Sequence, residues 1–407
     1  MKLLYLVTED WFFASHFLPM GRAARDLGCE VVIATRIGYH KALLEAEGFR
    51  VVPILFRRRS LSALHNFLLI RELAHLYQSE RPDIVHHISL KPVILGTLAA
   101  KLAGIRNVVN AITGWGYSTV ATGWRGAILG KMVPAVVRLI TLERNPGYRF
   151  IFENRDDAAM LLGPHLEQQQ YRYLVVGGAG VNLEHFHSLT PPHRDTDITV
   201  GLVSRMLWSK GIDLAVAAVQ QLRDEGLAVQ LWLVGTTDPD NPQAFSRQQL
   251  GQWDATPGIR WLGYQEDVRE TWREADIALL PSRGGEGLPR VLLEAAACAR
   301  PLITTLVPGC RDFVEDGHNG LLVPPGDAPA LARAIRYLAL HPDVRQQMGL
   351  AARERIEASH SEAHIASCVG SLYCGLLKTG GSTAPTPANT GRPSAEVPSA
   401  ARSGKPR

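Results

Sequence analysis

Cysteine is scarce in this chain. Its five cysteines, Cys29, Cys298, Cys310, Cys368 and Cys374, are scattered and odd in number, and no two form a C-x-x-C pair. Neither a disulfide framework nor a zinc site is indicated, and reduced cytosol is the expected setting. Long apolar runs are lacking as well. None approaches the ~18 residues that a membrane-spanning helix needs. Residues 3–7 are apolar, but Glu9 and Asp10 end the run far short of a signal-peptide core, so it reads as a first strand. The chain is therefore expected in the cytoplasm, without crossing a membrane. Nor does one sign of charge dominate, since 43 Lys and Arg face 39 Asp and Glu.

The balance is uneven along the chain. Residues 1–190 carry 21 basic and 15 acidic side chains, residues 191–377 carry 17 and 23, and residues 378–407 carry 5 and 1. Within 57–149 the numbers are 13 and 4. Such a stretch seeks an anionic partner: lipid headgroups, a diphosphate or nucleic acid. Ile128, Leu129, Met132, Val133, Val136, Val137 and Ile140 recur at helical spacing and predict an amphipathic helix over 125–142. Lys131 and Arg138 lie on another side of it, and Trp124 stands just ahead. Core packing produces the same pattern. The surrounding basic excess, including Arg57, Arg58, Arg59 and Arg125, favours a face resting on anionic lipid.

At 407 residues the chain is long for one core and suits two domains with a tail. Apolar runs at 2–7, 30–35, 51–56, 84–87, 108–112 and 150–152 read as strands, and 16–27, 40–47 and 64–79 as helices. Pro191-Pro192 marks a linker. Runs at 198–203, 229–234, 259–262, 277–280, 302–304 and 320–323 then repeat the alternation. Strand–helix alternation argues for an α/β chain of two parallel, doubly wound sheets. One Rossmann-like domain is expected over 1–190 and a second over 191–360. Residues 378–407, rich in Gly, Ser, Pro, Thr and Ala with no aromatic, are expected to be disordered.

The most informative segment is Gly284-Gly285-Glu286-Gly287-Leu288-Pro289-Arg290-Val291-Leu292-Leu293-Glu294. A buried parallel strand precedes it, Pro289 suits a first helical turn, and a helix-compatible run follows. Strand, glycine loop and helix in that order present backbone N–H groups at the carboxyl edge of a sheet, where α/β folds bind phosphate. Glu286 in the loop and Glu294 on the helix suit the role of acceptors for sugar or ribose hydroxyls. Upstream, Ser204-Arg205-Met206-Leu207-Trp208-Ser209-Lys210-Gly211 carries a strand into a loop with two cations. Arg205 offers a planar fork for phosphate and Lys210 a point charge.

This segment resembles the E-x7-E motif of retaining family-4 glycosyltransferases. So does its continuation through Ala295-Ala296-Ala297-Cys298-Ala299-Arg300-Pro301, Val307-Pro308-Gly309 and Asp316-Gly317-His318-Asn319-Gly320. The resemblance is dense over about 196–345 and thinner before. It implies a GT-B architecture, two Rossmann-like domains facing across a cleft, with a final helix at 361–377 returning to the first. It also implies a nucleotide-sugar donor, UDP-linked in expectation. Arg205, Lys210 and Glu286 would then form the catalytic set, and Glu294, Gly284, Gly285, Gly287, Leu288 and Pro289 would bind the donor. No metal and no other cofactor is expected, because fixed cations stabilise a departing diphosphate unaided. Asp238-Pro239-Asp240 mimics a D-x-D metal motif, but its turn-rich setting explains it. Cys298, in an alanine-rich helix, reads as packing, and so does Cys310.

In the first half, Thr113-Gly114-Trp115-Gly116-Tyr117 stands where many relatives carry a histidine. The pattern is similar to a subgroup acting on polyprenyl-diphosphate-linked sugars in bacterial surface-glycan assembly. The resemblance thus implies an acceptor of that kind, a peripheral position at the inner face of the plasma membrane, and no nucleic-acid partner. His16, His87, Lys91, Thr113 and Gly114 are the candidate acceptor-side residues, with His86 beside them. A transferase acting on a soluble acceptor, a GT-B epimerase and an inactive glycan- or lipid-binding relative remain open at this point. A phosphorylase is less favoured, for want of a pyridoxal lysine motif.

Overall fold

The computed structural model describes the chain apart from residues 57–61, 116–122, 142–146, 164–165, 189–196, 240 and 380–407, and the side chains of 123–129 and 379. Arg57–Arg59, the side chains of Trp124 and Arg125, the Pro191-Pro192 linker, Asp240 and nearly all of the tail therefore lie outside the described residues.

Two parallel sheets organise the rest. The first contains β1 (Lys2–Glu9), β2 (Glu30–Arg36), β3 (Arg50–Pro53), β4 (Ile84–Ile88), β5 (Val108–Ile112), β6 (Tyr148–Phe152) and β7 (Tyr173–Val175). Its order is β3-β2-β1-β4-β5-β6-β7. The second contains β8 (Ile198–Val203), β9 (Val229–Val234), β10 (Ile259–Gly263), β11 (Ile277–Leu280), β12 (Leu302–Thr305) and β13 (Gly320–Val323), ordered β10-β9-β8-β11-β12-β13. Central strands such as β4, β5 and β11 are buried at every position, as their unbroken runs require of strands covered on both faces.

Helices cover both sheets. On the first unit they are α1 (Asp10–His16), α2 (Leu18–Asp26), α3 (Lys41–Ala46), α4 (Ala63–Glu80), α5 (Leu90–Ala103), α6 (Gly123–Thr141) and α7 (Arg155–Leu162). The second unit has α8 (Ile212–Asp224), α9 (Arg247–Asp254), α10 (Arg269–Glu274), α11 (Arg290–Ala297), α12 (Cys310–Phe313), α13 (Ala328–Leu340) and α14 (Pro342–Ser359). A last helix, α15 (Glu362–Thr379), leaves the second unit and buries Ile365, Val369, Tyr373 and Leu376 in the core of the first. Its Tyr373 hydroxyl hydrogen-bonds Tyr5 Oη at 2.9 Å and His86 Nδ1 at 2.7 Å.

Two local expectations are corrected, and one strand was not expected. The helix expected over 16–27 begins at Leu18, because Phe17, with φ of −121° and ψ of 0°, interrupts the helical path and separates it from α1, a helix not expected from the sequence. The strand expected over 51–56 stops at Pro53, which has no N–H to offer a neighbour. β7 is only three residues long, too short for periodicity to show.

Candidate functional site

After β11 the chain passes Pro281 and Ser282, turns through Gly284 and Gly285, and enters α11. Glu286 sits in that turn. Its Oε1 accepts from Lys210 Nζ at 2.5 Å and from Ser282 Oγ at 3.0 Å. Lys210 ends the turn that follows β8, so the first cation and the first glutamate come from neighbouring strands at one sheet edge. Both side chains are largely shielded, 18% and 13% exposed, which strengthens the attraction over that of a surface pair. Arg283 ties the two loops together. It grips Asp213 through two bonds of 2.7 and 2.8 Å, donates to the Trp208 carbonyl, and lies 4.3 Å over the Trp208 ring. Nothing in the spacing of Arg283 and Asp213 announces this role.

Arg205 is half exposed and donates to Asp238 Oδ2 at 3.0 Å. Turn chemistry alone therefore does not account for Asp238: it is the counter-ion of Arg205. Glu294 lies one turn into α11, where its Oε1 accepts from Arg290 Nε at 2.7 Å. Burial raises its carboxyl above the usual range, and the Arg290 charge opposes that rise. Pro289 caps α11 from outside and does not open its first turn, a correction of one position. Two loop amides are engaged within the protein: Gly284 N–H donates to Ser282 Oγ at 3.3 Å and Leu288 N–H to Glu153 Oε2 at 2.8 Å.

The loops of the first unit meet this edge. A side chain on Gly114 (φ +96°) would come within 2.8 Å of Gly287 N and 3.0 Å of Gly285 O, so backbone touches backbone there. Thr113 Oγ1 hydrogen-bonds Ser89 Oγ at 3.2 Å, which joins the ends of β5 and β4. Lys91 follows at the start of α5, half-buried, with its ammonium pulled below the usual range by burial. His16 ends α1 with its ring against Phe12 and its Nδ1 hydrogen-bonded to Ser15 Oγ at 2.6 Å. Burial and the charge of Arg290, at the start of α11, push His16 down to about 3, so it is neutral at pH 7.

His87 is a correction. It is fully buried under α5, bonded through Nε2 to Tyr77 Oη at 3.1 Å and through Nδ1 to Asn110 Oδ1 at 2.8 Å. His86, equally buried, turns the other way toward Tyr373. Side chains alternate across a strand, so two consecutive histidines point into the two cores and neither reaches the cleft. Burial lowers both, to about 3 for His86 and about 4 for His87.

Also missed from sequence are Glu153 and Asn154, at the turn from β6 into α7. Glu153 accepts the Leu288 amide, and Asn154 donates from Nδ2 to the Gly287 carbonyl at 3.3 Å while its Oδ1 caps α7. Asn154 could have been read as a helix cap from Asn154-Arg155-Asp156-Asp157. Nothing signals the contacts across the cleft.

Among the described residues, no group of three or more His, Cys, Asp or Glu side chains is arranged to hold a metal ion. Cys298 and Cys310 are buried, and burial pushes both thiols up to about 12. On α6, Val137 is buried, whereas Met132, Val136 and Leu139 face outward beside exposed Lys131 and Arg138. No helix among the described residues is long and apolar enough to cross a membrane.

Two Rossmann-like units, with a paired cation and acid at the carboxyl edge of one sheet pressed against the loops of the other, define the GT-B class. The family model "Glycosyl transferases group 1" matches residues 197–341, and "Glycosyl transferase 4-like" matches residues 2–136. The first covers the whole second sheet and the second covers β1–β5 of the first sheet; the pair spans more than half of the chain, and the chain belongs to this family of glycosyltransferases. It is similar to the N,N'-diacetylbacillosaminyl-diphospho-undecaprenol alpha-1,3-N-acetylgalactosaminyltransferase of Campylobacter jejuni, 25% identical over 89% of this chain and 96% of that protein. The putative glycosyltransferase EpsD of Bacillus subtilis is likewise 25% identical, over 92% of this chain and 97% of its own. The fold is similar to that of Anabaena HepE, solved in complex with UDP and glucose, with a TM-score of 0.73, 17% identity, and 92% and 99% of the two chains covered.

Proposed function

We propose that the protein is a retaining transferase that moves a hexose or N-acetylhexosamine from a UDP-linked donor to a polyprenyl-diphosphate-linked sugar, in the assembly of a cell-surface polysaccharide or glycan. The observation that carries this reading is the Lys210–Glu286 pair, held against the Thr113–Gly114 turn of the first unit. A donor diphosphate would take Lys210 and Arg205 from their carboxylate partners, and its growing negative charge would be stabilised as the sugar departs. Glu286, released from Lys210, would accept a sugar hydroxyl. The acceptor hydroxyl would attack from the face the diphosphate leaves, past an oxocarbenium-like state, with no metal required. The lipid-linked acceptor named for the Campylobacter relative and the UDP bound in HepE support the two substrate classes. The outward apolar and basic residues of α6 support a peripheral position on an anionic, inner-face membrane.

The test is a panel of nucleotide-sugars against short polyprenyl-diphosphate-linked sugars, offered in detergent and in anionic vesicles, with products read by mass spectrometry and anomeric configuration by NMR. Transfer from a UDP-sugar with retained configuration is expected, faster on vesicles at low salt because each Lys or Arg near an anionic surface adds roughly 1 kcal/mol of attraction. An inverted product would overturn retention. Equal transfer to a soluble glycan would overturn the lipid-linked acceptor.

The two glutamates divide the donor between them in this reading. Glu286→Gln is expected to lower turnover and change the preference between sugar epimers, because a site that loses an acceptor leaves a hydroxyl unpaired. Glu294→Gln should chiefly weaken binding of free UDP, measured by calorimetry. Wild-type UDP affinity in both variants, with sugar preference unmoved, would sink this division.

A further inference from the structure

The β6–α7 turn makes more contact with the second unit than covering a sheet edge requires. Glu153 accepts the Leu288 amide at 2.8 Å and Asn154 donates to the Gly287 carbonyl at 3.3 Å. The next two residues continue the seam. Arg155 N–H donates to Asp312 Oδ2 at 3.3 Å, and Asp156 accepts from Arg311 Nη2 at 2.7 Å. The fit around the carboxylate is close, because a Cβ on Gly287 would fall 1.9 Å from Glu153 Oε2. Behind the carboxylate lies a cavity of about 330 Å³, lined by Arg155, Val176, Leu288, Asp312 and His360. The loop held in this way carries Glu286, two residues before Leu288.

We propose that Glu153 is a positioning residue: with Asn154 it latches the 284–288 loop to the first unit, and the charge on its carboxylate sets how firmly the loop that carries Glu286 is held. Charge-assisted hydrogen bonds are about twice as strong as neutral ones, so a neutral acid still accepts from Leu288 but holds it less well. Burial pushes the Glu153 carboxyl up to about 7, with the charges of Asp157 and Glu286 adding and the Leu288 amide opposing. The latch therefore tightens as pH rises through 7 and loosens below it. For global stability the sign is opposite. A carboxyl raised on folding favours the folded state below its unfolded value, and that contribution is lost as pH rises through about 7.

Other charged groups face this turn. Glu286, paired to Lys210, comes from the loop itself, and Arg311 and Asp312 come from α12. His360, after α14, is pushed down to about 4 by burial and stays neutral near pH 7. On α7, burial raises Asp157 to about 7 as well, against its bond from Asn154. Glu153 must therefore be separated from Asp157 by substitution.

The experiment is hydrogen–deuterium exchange by mass spectrometry on the peptide covering 284–288. Full-length wild type, Glu153→Gln, Glu153→Ala and Asp157→Asn are compared at pH 6 and pH 8, with kcat and donor KM measured alongside. At pH 8 the alanine variant is expected to exchange at least about tenfold faster than wild type and the glutamine variant about threefold faster, since glutamine keeps a neutral acceptor. At pH 6 glutamine and wild type should converge, and kcat should follow exchange while donor KM changes little. Asp157→Asn should keep a pH dependence in the loop, with its midpoint moved down because the Asp157 charge helps raise Glu153. Equal exchange in alanine variant and wild type, or a glutamine-to-wild-type ratio unchanged by pH, would overturn the latch. This inference rests on the transferase reading only for its kinetic arm. If exchange moves as stated and no UDP-sugar is turned over, the donor assignment fails and the latch stands.

Discussion

Glycosyl transfer by the Lys210→Ala protein is expected to run between tenfold and several hundredfold more slowly than wild type, with both sheets intact. One charge-assisted contact to the departing diphosphate is worth roughly 1.5–3 kcal/mol, and about 1.4 kcal/mol is a factor of ten in rate. A second effect acts in the same direction. Lys210 Nζ is bonded to Glu286, so its removal leaves a shielded carboxylate beside the place where the diphosphate would build up charge. Ser282 Oγ alone cannot offset that charge. Arg205→Ala should cost less. Its guanidinium is half exposed and paired with Asp238, so water screens much of what it contributes before the donor arrives. The measurement is single-turnover transfer together with a thermal melt. Wild-type rates in the Lys210 variant, with its fold intact, would remove that residue from the mechanism.

The two-sheet architecture was legible because parallel strands buried on both faces leave unbroken apolar runs. β5, β8, β9, β11 and β13 begin and end where those runs do. The glycine loop was legible for a related reason: strand, glycines and helix lie within one stretch of chain. What stayed hidden depends on residues far apart in sequence. Lys210 and Glu286 are 76 residues apart, Arg205 and Asp238 are 33 apart, and Glu153 and Leu288 are 135 apart. A carboxylate at the end of a strand has no periodicity to mark it, so Glu153 passed unnoticed. His87 misleads for the opposite reason. A histidine near the carboxyl end of a strand suggests a site, but the side-chain alternation that turns His86 and His87 into opposite cores follows only once both faces of β4 are known to be covered.

Gly309→Ala is expected to cost about a hundredfold in transfer rate, and the reason is steric. Gly309 precedes α12 with φ +79°, and a Cβ there would fall 1.5 Å from Gly287 O and 2.7 Å from Gly287 C. Those are backbone atoms of the loop that holds Glu286, with Asn154 bonded to the same carbonyl, so no side chain can swing aside to make room. The loop itself has to move. Displacing a reacting group by about 1 Å can cost roughly 10²-fold. Overpacking should lower stability by about 1–3 kcal/mol, and a backbone of φ +79° and ψ −50°, close to the strained γ-turn, adds to that cost once a Cβ is present. Gly317→Ala separates the two causes. Gly317 has φ +76°, but a Cβ there would meet nothing within 4 Å, so it carries a positive-φ cost without the collision. It should melt a little earlier than wild type and transfer sugar at the wild-type rate, whereas Gly309→Ala should lose activity well beyond its loss of stability. Equal activity in the two variants, after correction for the fraction folded, would show that the close approach of Gly309 to Gly287 does not position the loop.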